Sequence, residues 1–401
     1  MDEIKIFIVE DEDDQIELYK DAIEEFNEES GTVKITPLIA KTKDEAIEGL
    51  RNNFFDAVFI DLNLSVESHG SDTPEGNDLV DSIQATMRYP VFVVTGKSNE
   101  HIVELDNDNI FIELHLKDED DLTNNLLKRV KKIYDTGITK VLGARGHLND
   151  YLHSIFWEHL SKTMEYWLSA ECKNCDIEKA ISRYTLTHLY EYMEEASGTE
   201  RITYDPAEMY IYPRIKTSIR PGDIVDKDGS KYLVLTPACT ISQQCENFQL
   251  IKIVSLDLNQ SINDSKEKIE TNTKKIEDHT NIASADQKSN HEEELAKLIK
   301  AKENKINTFN SLIQSFVTNK KGERYHFLPR FLELEESLVD FQDITTVSKE
   351  DISEYHGKMT VSIYFFKDIQ SRFSAFYARQ GSPDFDKKKL SQEIMEKILA
   401  V

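Results

Sequence analysis

The chain opens on an apolar run, Ile4-Lys5-Ile6-Phe7-Ile8-Val9, that stops abruptly at Glu10, Asp11, Glu12 and Asp13. A short apolar block without helical spacing predicts a strand buried on both faces of a parallel sheet, with its acids at the strand's carboxyl end. Ile16, Leu18, Tyr19, Ala22, Ile23 and Phe26 then recur at helical spacing opposite a Glu-rich face, and the pattern breaks at Gly31. Val33–Ala40 reads as a second strand, Lys43–Asn53 as a second helix, and Ala57–Asp61 as a third strand. A third helix runs from about Asn77 to Met87, followed by strands over Val91–Thr95 and Ile110–Lys117 and a helix over Asp120–Tyr134. Strands alternating with helices predict a doubly wound α/β fold with five parallel strands.

Beyond residue 135 the period changes. Thr136 to Ser197 is helical, with one apolar stripe through Tyr151, Ile155, Phe156, His159, Leu160, Met164, Trp167 and Leu168, and another through Ile181, Tyr184, Leu186, Leu189 and Tyr192. Such stripes predict packing surface. Residues 203 to 257 turn to β character. Ile224 to Leu235 reads as a hairpin whose Asp228-Gly229 supplies the positive φ angles of a tight turn, and Leu250–Val254 as a further strand. Residues 259–318 are rich in Lys, Glu and Asn, with Ile262, Ile269 and Ile276 seven apart and Ile299, Ile306, Phe309, Ile313 and Phe316 at a and d positions. They predict a coiled-coil hairpin with its break near Ala283–Asp286. Its first helix carries polar d positions, Ser265, Asn272 and His279, which would leave the Phe309/Phe316 end open to a second protomer or a partner helix. Tyr325–Leu328, Leu338–Phe341 and Met359–Phe366 resume the β pattern, Lys367 to Tyr377 begins a helix, and Lys387–Ala400 is a final amphipathic helix. The expected organisation is 1–135, 136–200 as a helical connector, and 201–401 as an α+β, β-rich domain interrupted by the hairpin. Arg372, Phe373, Phe376, Tyr377 and Arg379 form a cluster whose aromatics are expected to pack inward and whose arginines are expected to pair with carboxylates.

Composition narrows the function. The 401 residues carry a formal charge of −26, and residues 1–135 alone hold 33 Asp and Glu against 13 Lys and Arg, so most of the acidity is local. A field of this sign disfavours nucleic-acid backbone binding. The amino terminus lacks a basic segment followed by an apolar core, and no apolar run approaches the roughly 18 residues of a membrane span, so no membrane association and a cytoplasmic location are expected. Cys172 and Cys175 form one CxxC, but Cys239 and Cys245 lack the spacing of a zinc site, and free thiols in a reducing compartment are expected.

Four strands end in chemistry: Glu10/Asp11, Asp61, Thr95 and Lys117. Three carboxylates and a backbone carbonyl suit the hard-oxygen preference of Mg²⁺, while a hydroxyl and an ammonium can hold phosphoryl oxygens. This constellation resembles the receiver domain of two-component response regulators, over roughly the first 135 residues. The resemblance implies Asp61 as phosphoacceptor, Glu10, Asp11 and Asp61 with the Asn63 backbone carbonyl as Mg²⁺ ligands, and Thr95, Gly96 and Lys117 as the phosphoryl-binding and switch positions. Gly76 falls where the family has a glycine. Three departures stand out: the Ser65–Glu75 loop is longer than usual, Asp118 follows Lys117 where the family has proline, and Leu114 replaces a switching aromatic.

A sensor histidine kinase or phosphotransfer protein is the implied donor. The expected function is a response-regulator-like signalling protein whose phosphorylation gates a carboxyl-terminal interaction module. An alternative is a receiver-controlled effector enzyme of a bacterial stress or defence system. Arg183 and His188, in Arg183-Tyr-Thr-Leu-Thr-His188, resemble the Arg/His pair of HEPN-type helical ribonucleases, and Pro221-Gly-Asp-Ile faintly resembles small toxin barrels of the MazF/PemK kind. The expectation for Arg183 and His188 is the polar edge of an amphipathic helix.

Overall fold

The computed structural model describes residues 2–62, 75–96, 109–119, 121–143, 146–169, 176–194, 203–243, 245–281, 288–320, 323–379 and 385–399. The chain divides into two compact units, Met1–Arg201 and Ile202–Val401. In the first, strands β1 (Asp2–Val9), β2 (Val33–Ala40), β3 (Ala57–Asp61), β4 (Val91–Thr95) and β5 (Ile112–Leu116) form one parallel sheet in the order β2-β1-β3-β4-β5. Alternation along the strands divides the core in two. Ile4, Ile6, Ile8, Phe59 and Phe92 face helices α1 (Asp13–Glu29) and α4 (Leu122–Asp135), while Phe7, Val9, Val58, Ile60 and Val93 face α2 (Lys43–Asn52) and α3 (Glu75–Thr86). Burial on both sides is why these strands read as unbroken apolar runs. Pro37 is tolerated because β2 lies at the sheet edge.

The helical stretch continues as α5 (Ile138–Leu142), α6 (His147–Ser154), a wide π turn over Ile155–Leu160, α7 (Ser161–Leu168) and α8 (Ile177–Glu194). Tyr151, His159 and Trp167 meet α8 through ring contacts of 5.6–5.7 Å to Tyr192 and Tyr184. Only this side of the expected stripe packs: Ile155 is buried, but Phe156, Met164, Leu168 and Leu186 are exposed within the unit. Cys172 and Cys175 lie outside the described residues. Cys239 and Cys245 are free thiols.

The second unit is built on a seven-stranded antiparallel sheet, in the order β10-β11-β9-β8-β7-β12-β6 among the described residues. Its strands are β6 (Tyr210–Ile211), β7 (Asp223–Lys227), β8 (Ser230–Val234), β9 (Asn247–Ser255), β10 (Tyr325–Leu328), β11 (Ser337–Ser348) and β12 (His356–Val361). The β7–β8 hairpin turns at Asp228 (φ 54°) and Gly229 (φ 75°), the two consecutive positive angles of a type I′ turn, and the Asp226 carboxylate accepts the Gly229 N–H at 3.0 Å. One face of the sheet packs on α12 (Ile363–Ala378) through Phe366, Ile369 and Phe376. The strand expected over Met359–Phe366 therefore ends at Val361. Ile363 to Phe366 form the first turn of α12, because Phe366, Ile369, Phe373 and Phe376 follow the helical period, which outweighs the strand propensity of the run. Arg372 pairs with Asp368 at 2.8 Å, while Arg379 pairs with Glu323 at 3.4 Å and lies over the Phe376 ring, so the arginines pair as expected; of the aromatics Phe376 is buried and Phe373 partly so, but Tyr377 is exposed and does not pack inward. Helices α9 (Ala238–Ser242) and α13 (Lys387–Leu399) complete the unit.

Between β9 and β10, helices α10 (Gln260–Asn281) and α11 (Lys288–Val317) fold back antiparallel. The expected break at Ala283–Asp286 lies outside the described residues. Two expectations about this hairpin are corrected. The seam does not run through Ile299 and Ile306, which are 43% and 37% exposed, but one position earlier. Asn272 donates to the Leu298 carbonyl at 3.0 Å and accepts from Lys305 Nζ at 3.1 Å, and these bonds fix the phase of the two helices. Nor is the Phe316 end open. Phe316 is 2% exposed and packs with Ile262, Leu338, Phe309 and Tyr325, so the root of the hairpin is packed on strands β10 and β11.

Removing that ring is therefore expected to weaken the β unit. Phe316→Ala should lower its stability by about 3–5 kcal/mol, whereas Ile299→Ala should cost no more than about 1 kcal/mol. Urea unfolding followed by circular dichroism measures both. Equal small losses would show the hairpin root to be independent of the sheet.

Candidate functional site

Strand order 2-1-3-4-5 places β1 and β3 side by side, where the connections diverge to opposite sides of the sheet. In open α/β sheets this carboxyl-edge crevice is where ligands bind. Glu10 and Asp11 follow β1 directly, Asp61 ends β3, Thr95 ends β4, and Lys117 follows β5, its N–H bonded to the Thr95 carbonyl at 2.9 Å. Five residues spread over more than one hundred positions thus arrive at one edge. Glu10, Asp61 and Thr95 are buried there.

Lys117 ties the cluster together. Its ammonium donates to Asp61 at 2.9 Å and to Glu10 at 3.2 Å, and reaches Glu12 at 3.3 Å. Burial opposes its charge, but the hydrogen bonds and charges of Asp61 and Glu10 outweigh burial and hold the ammonium above the usual lysine range. Glu10, Asp11 and Asp61 each present an oxygen within 4.8 Å of the others. At such separations two like charges repel by on the order of 3 kcal/mol at an effective dielectric of about 20. Burial, with the charge of Asp61 added, pushes Glu10 up to about 7. Burial also raises the Tyr19 phenol beneath the site.

These residues fit a divalent cation. The donor set is all oxygen, one ammonium does not balance Glu10, Asp11, Glu12 and Asp61, and burial together with the charge of Asp61 raises Glu10. Asn63 lies outside the described residues, as does the Ser65–Glu75 loop up to residue 74. Gly96 is exposed, and a Cβ there would meet nothing within 4 Å, so crowding does not require glycine. Leu114 lies half-exposed on the edge strand β5. Sequence pattern assigned no role to Glu12, whose reach to Lys117 depends on the turn after β1; its place in the acidic run was the available signal.

Arg183 and His188 are not brought together. Five residues apart on α8, they point about 140° from one another around the helix axis. His188 Nδ1 lies 2.9 Å from the Tyr184 carbonyl, and its ring stands 4.7 Å from His159 and 4.2 Å from Tyr184. Arg183 is exposed. This is an aromatic packing layer with an arginine on its outer side.

No protein-family model and no curated protein matches the chain. Among solved structures, the N-terminal domain of a response regulator/sensory box/GGDEF three-domain protein from Carboxydothermus hydrogenoformans is 20% identical over 33% of this chain and 98% of its own, with a TM-score of 0.26. A CheY-like receiver domain protein from Methanospirillum hungatei JF-1 is 20% identical over the same shares, with a TM-score of 0.24. A response regulator solved in complex with a histidine kinase is 21% identical over 32% of this chain and 97% of its own, with a TM-score of 0.23. Each of these likenesses covers about a third of this chain, and the first unit's five parallel strands, in the order β2-β1-β3-β4-β5, make a doubly wound α/β fold.

Proposed function

We propose that this protein is a response-regulator-like signalling protein in which Asp61 accepts a phosphoryl group and thereby gates an interaction module in the second unit. The observation that carries the reading is the Lys117 ammonium, 2.9 Å from a buried Asp61 with Glu10 and Asp11 beside it, at the switch point of a parallel sheet. A histidine kinase or phosphotransfer protein is the donor. A carboxylate oxygen of Asp61 attacks the phosphorus of a phosphohistidine, the O–P bond forms as the P–N bond breaks, and the electron pair leaves with the imidazole. Attack of water on the acyl phosphate resets the site. Lys117 pairs with the transferred group, and the Thr95 hydroxyl, buried at the next strand end, bonds one of its oxygens.

Mg²⁺, held by Glu10, Asp11, Asp61 and the Asn63 carbonyl, would supply the positive charge that lets a phosphoryl group approach this acidic edge. A cytoplasmic location agrees with the reading, and no described helix is long and apolar enough to cross a membrane. Ile299 and Ile306, exposed on the hairpin, are the side chains through which a partner helix or second protomer would dock on 259–318.

Acetyl phosphate with Mg²⁺ should add one phosphoryl mass to the intact protein, EDTA should prevent it, and Asp61→Ala should remain unlabelled. An unmodified wild type or a labelled variant, read by intact mass spectrometry, would sink the assignment.

A second expectation concerns pH. Without metal, folding raises Glu10 from the ordinary 4.5 to about 7, so the folded protein binds a proton between those values that the unfolded chain has released. The stability linked to this group is therefore full below pH 4.5 and is lost as pH rises through 7. Mg²⁺ competes with that proton, so its affinity should fall by about tenfold per pH unit below 7. Calorimetric titrations at about pH 5.5 and 7.5 test this; equal affinities at the two values would refute Glu10 as the titrating ligand.

A further inference from the structure

We propose that the second unit binds a phosphorylated small molecule that carries a flat ring, a ribonucleoside monophosphate in chemical class, in a cavity at the amino end of α12. The cavity holds about 340 Å³, at the lower end of the roughly 300–1,000 Å³ of small-molecule sites. Its charged lining is Arg214, Lys216, Arg220 and Asp223. This inference does not depend on the phosphorylation of Asp61.

The sign of the cavity is its distinguishing feature. In a chain of net charge −26, the one acid in this lining is already committed. Asp223 is buried; its Oδ2 accepts Arg214 Nη1 and the Arg220 backbone N–H, both at 2.9 Å, and its Oδ1 accepts the Thr360 hydroxyl at 2.6 Å. Arg214 compensates its charge. Lys216 and Arg220 form no ion pair among the described residues, which leaves the cavity two positive charges in excess. A phosphate monoester carries up to two negative charges.

Arg214 is also built for recognition. Nη1 is held by Asp223 and Nη2 donates to the Thr217 carbonyl at 2.9 Å, so the guanidinium is fixed while the rest of its five N–H donors remain. A pre-positioned fork loses little side-chain entropy on binding an oxyanion. The first residue of α12, Ile363, lies in the cavity wall. No side chain caps this 16-residue helix, because the Ser362 hydroxyl donates to the Glu208 carbonyl at 3.1 Å. The helix end adds to a field that the three basic side chains already set.

The remaining wall calls for more than an inorganic anion. Ile211, Pro221, Ile363 and Phe366 line it, and Ile215, 80% exposed, stands at its rim. The face of a nucleobase covering Ile215 while the phosphate meets Arg214 and Arg220 satisfies both parts.

Isothermal titration of the full-length protein with the four ribonucleoside 5′-monophosphates, their nucleosides and inorganic phosphate tests this. At least one monophosphate should bind saturably and about tenfold or more tighter than its nucleoside and than phosphate. Arg220→Ala should weaken binding by a similar factor. Lys216→Glu, a change at an exposed position outside the Asp223 network, should do the same in a protein with an unchanged melting curve. Absence of saturable binding by every monophosphate, equal affinity of a nucleoside, or wild-type binding by folded Lys216→Glu would each overturn the proposal.

Discussion

The contact on which the first unit's chemistry depends is the Lys117 ammonium set among Asp61, Glu10 and Glu12. Carboxylates buried this close together would repel strongly, and one ammonium offsets only part of that repulsion. Burial first, and the charge of Asp61 after it, push Glu10 up to about 7. A site left short of positive charge has the all-oxygen donor set and the net negative charge that suit a divalent cation. The parallel sheet makes this arrangement possible, because successive strands end at the same edge and bring acids, hydroxyl and ammonium together from distant positions.

The second unit uses charge in the opposite sense. At the amino end of α12, Asp223 is consumed by Arg214, the Arg220 N–H and Thr360, leaving Lys216 and Arg220 as surplus cations beside apolar walls. The same element in two roles separates the two sites. At the sheet edge of the first unit, a lysine neutralises a minority of acids. In the cavity, an aspartate fixes one guanidinium, that of Arg214, among a majority of cations. Because buried polar groups must be paired, the committed aspartate is also what rigidifies the cationic fork.

The helical hairpin of α10 and α11 belongs to the β unit by packing. Polar contacts among Asn272, Leu298 and Lys305 set the helix phase, and Phe316 with Ile262 closes the root onto Leu338 and Tyr325. A two-helix hairpin with a narrow seam is marginal in water by itself. Burying its base in the sheet supplies the surface it lacks and leaves Ile299 and Ile306 outward.

The sequence by itself determined the local and the periodic. β3 and β4 matched the predicted ranges residue for residue, because strands buried on both faces are unbroken apolar blocks bounded by polar stops, and the edge strand β2 matched its range as well. The β7–β8 turn was equally legible in Asp228-Gly229, since few residue pairs accept two positive φ angles. Glu10, Asp11, Asp61, Thr95 and Lys117 could be picked out as a set because each stands at a strand end. Tertiary structure decided the rest. Which side of an amphipathic helix is covered depends on a partner that the period does not name, so Ile299 and Ile306 turned outward while Phe316 turned in. Run length misplaced the end of β12, because the apolar face of α12 begins where the strand stops. The Arg214–Asp223–Thr360 cradle was invisible beforehand: its members are separated by up to 146 positions, and only strand pairing brings them together.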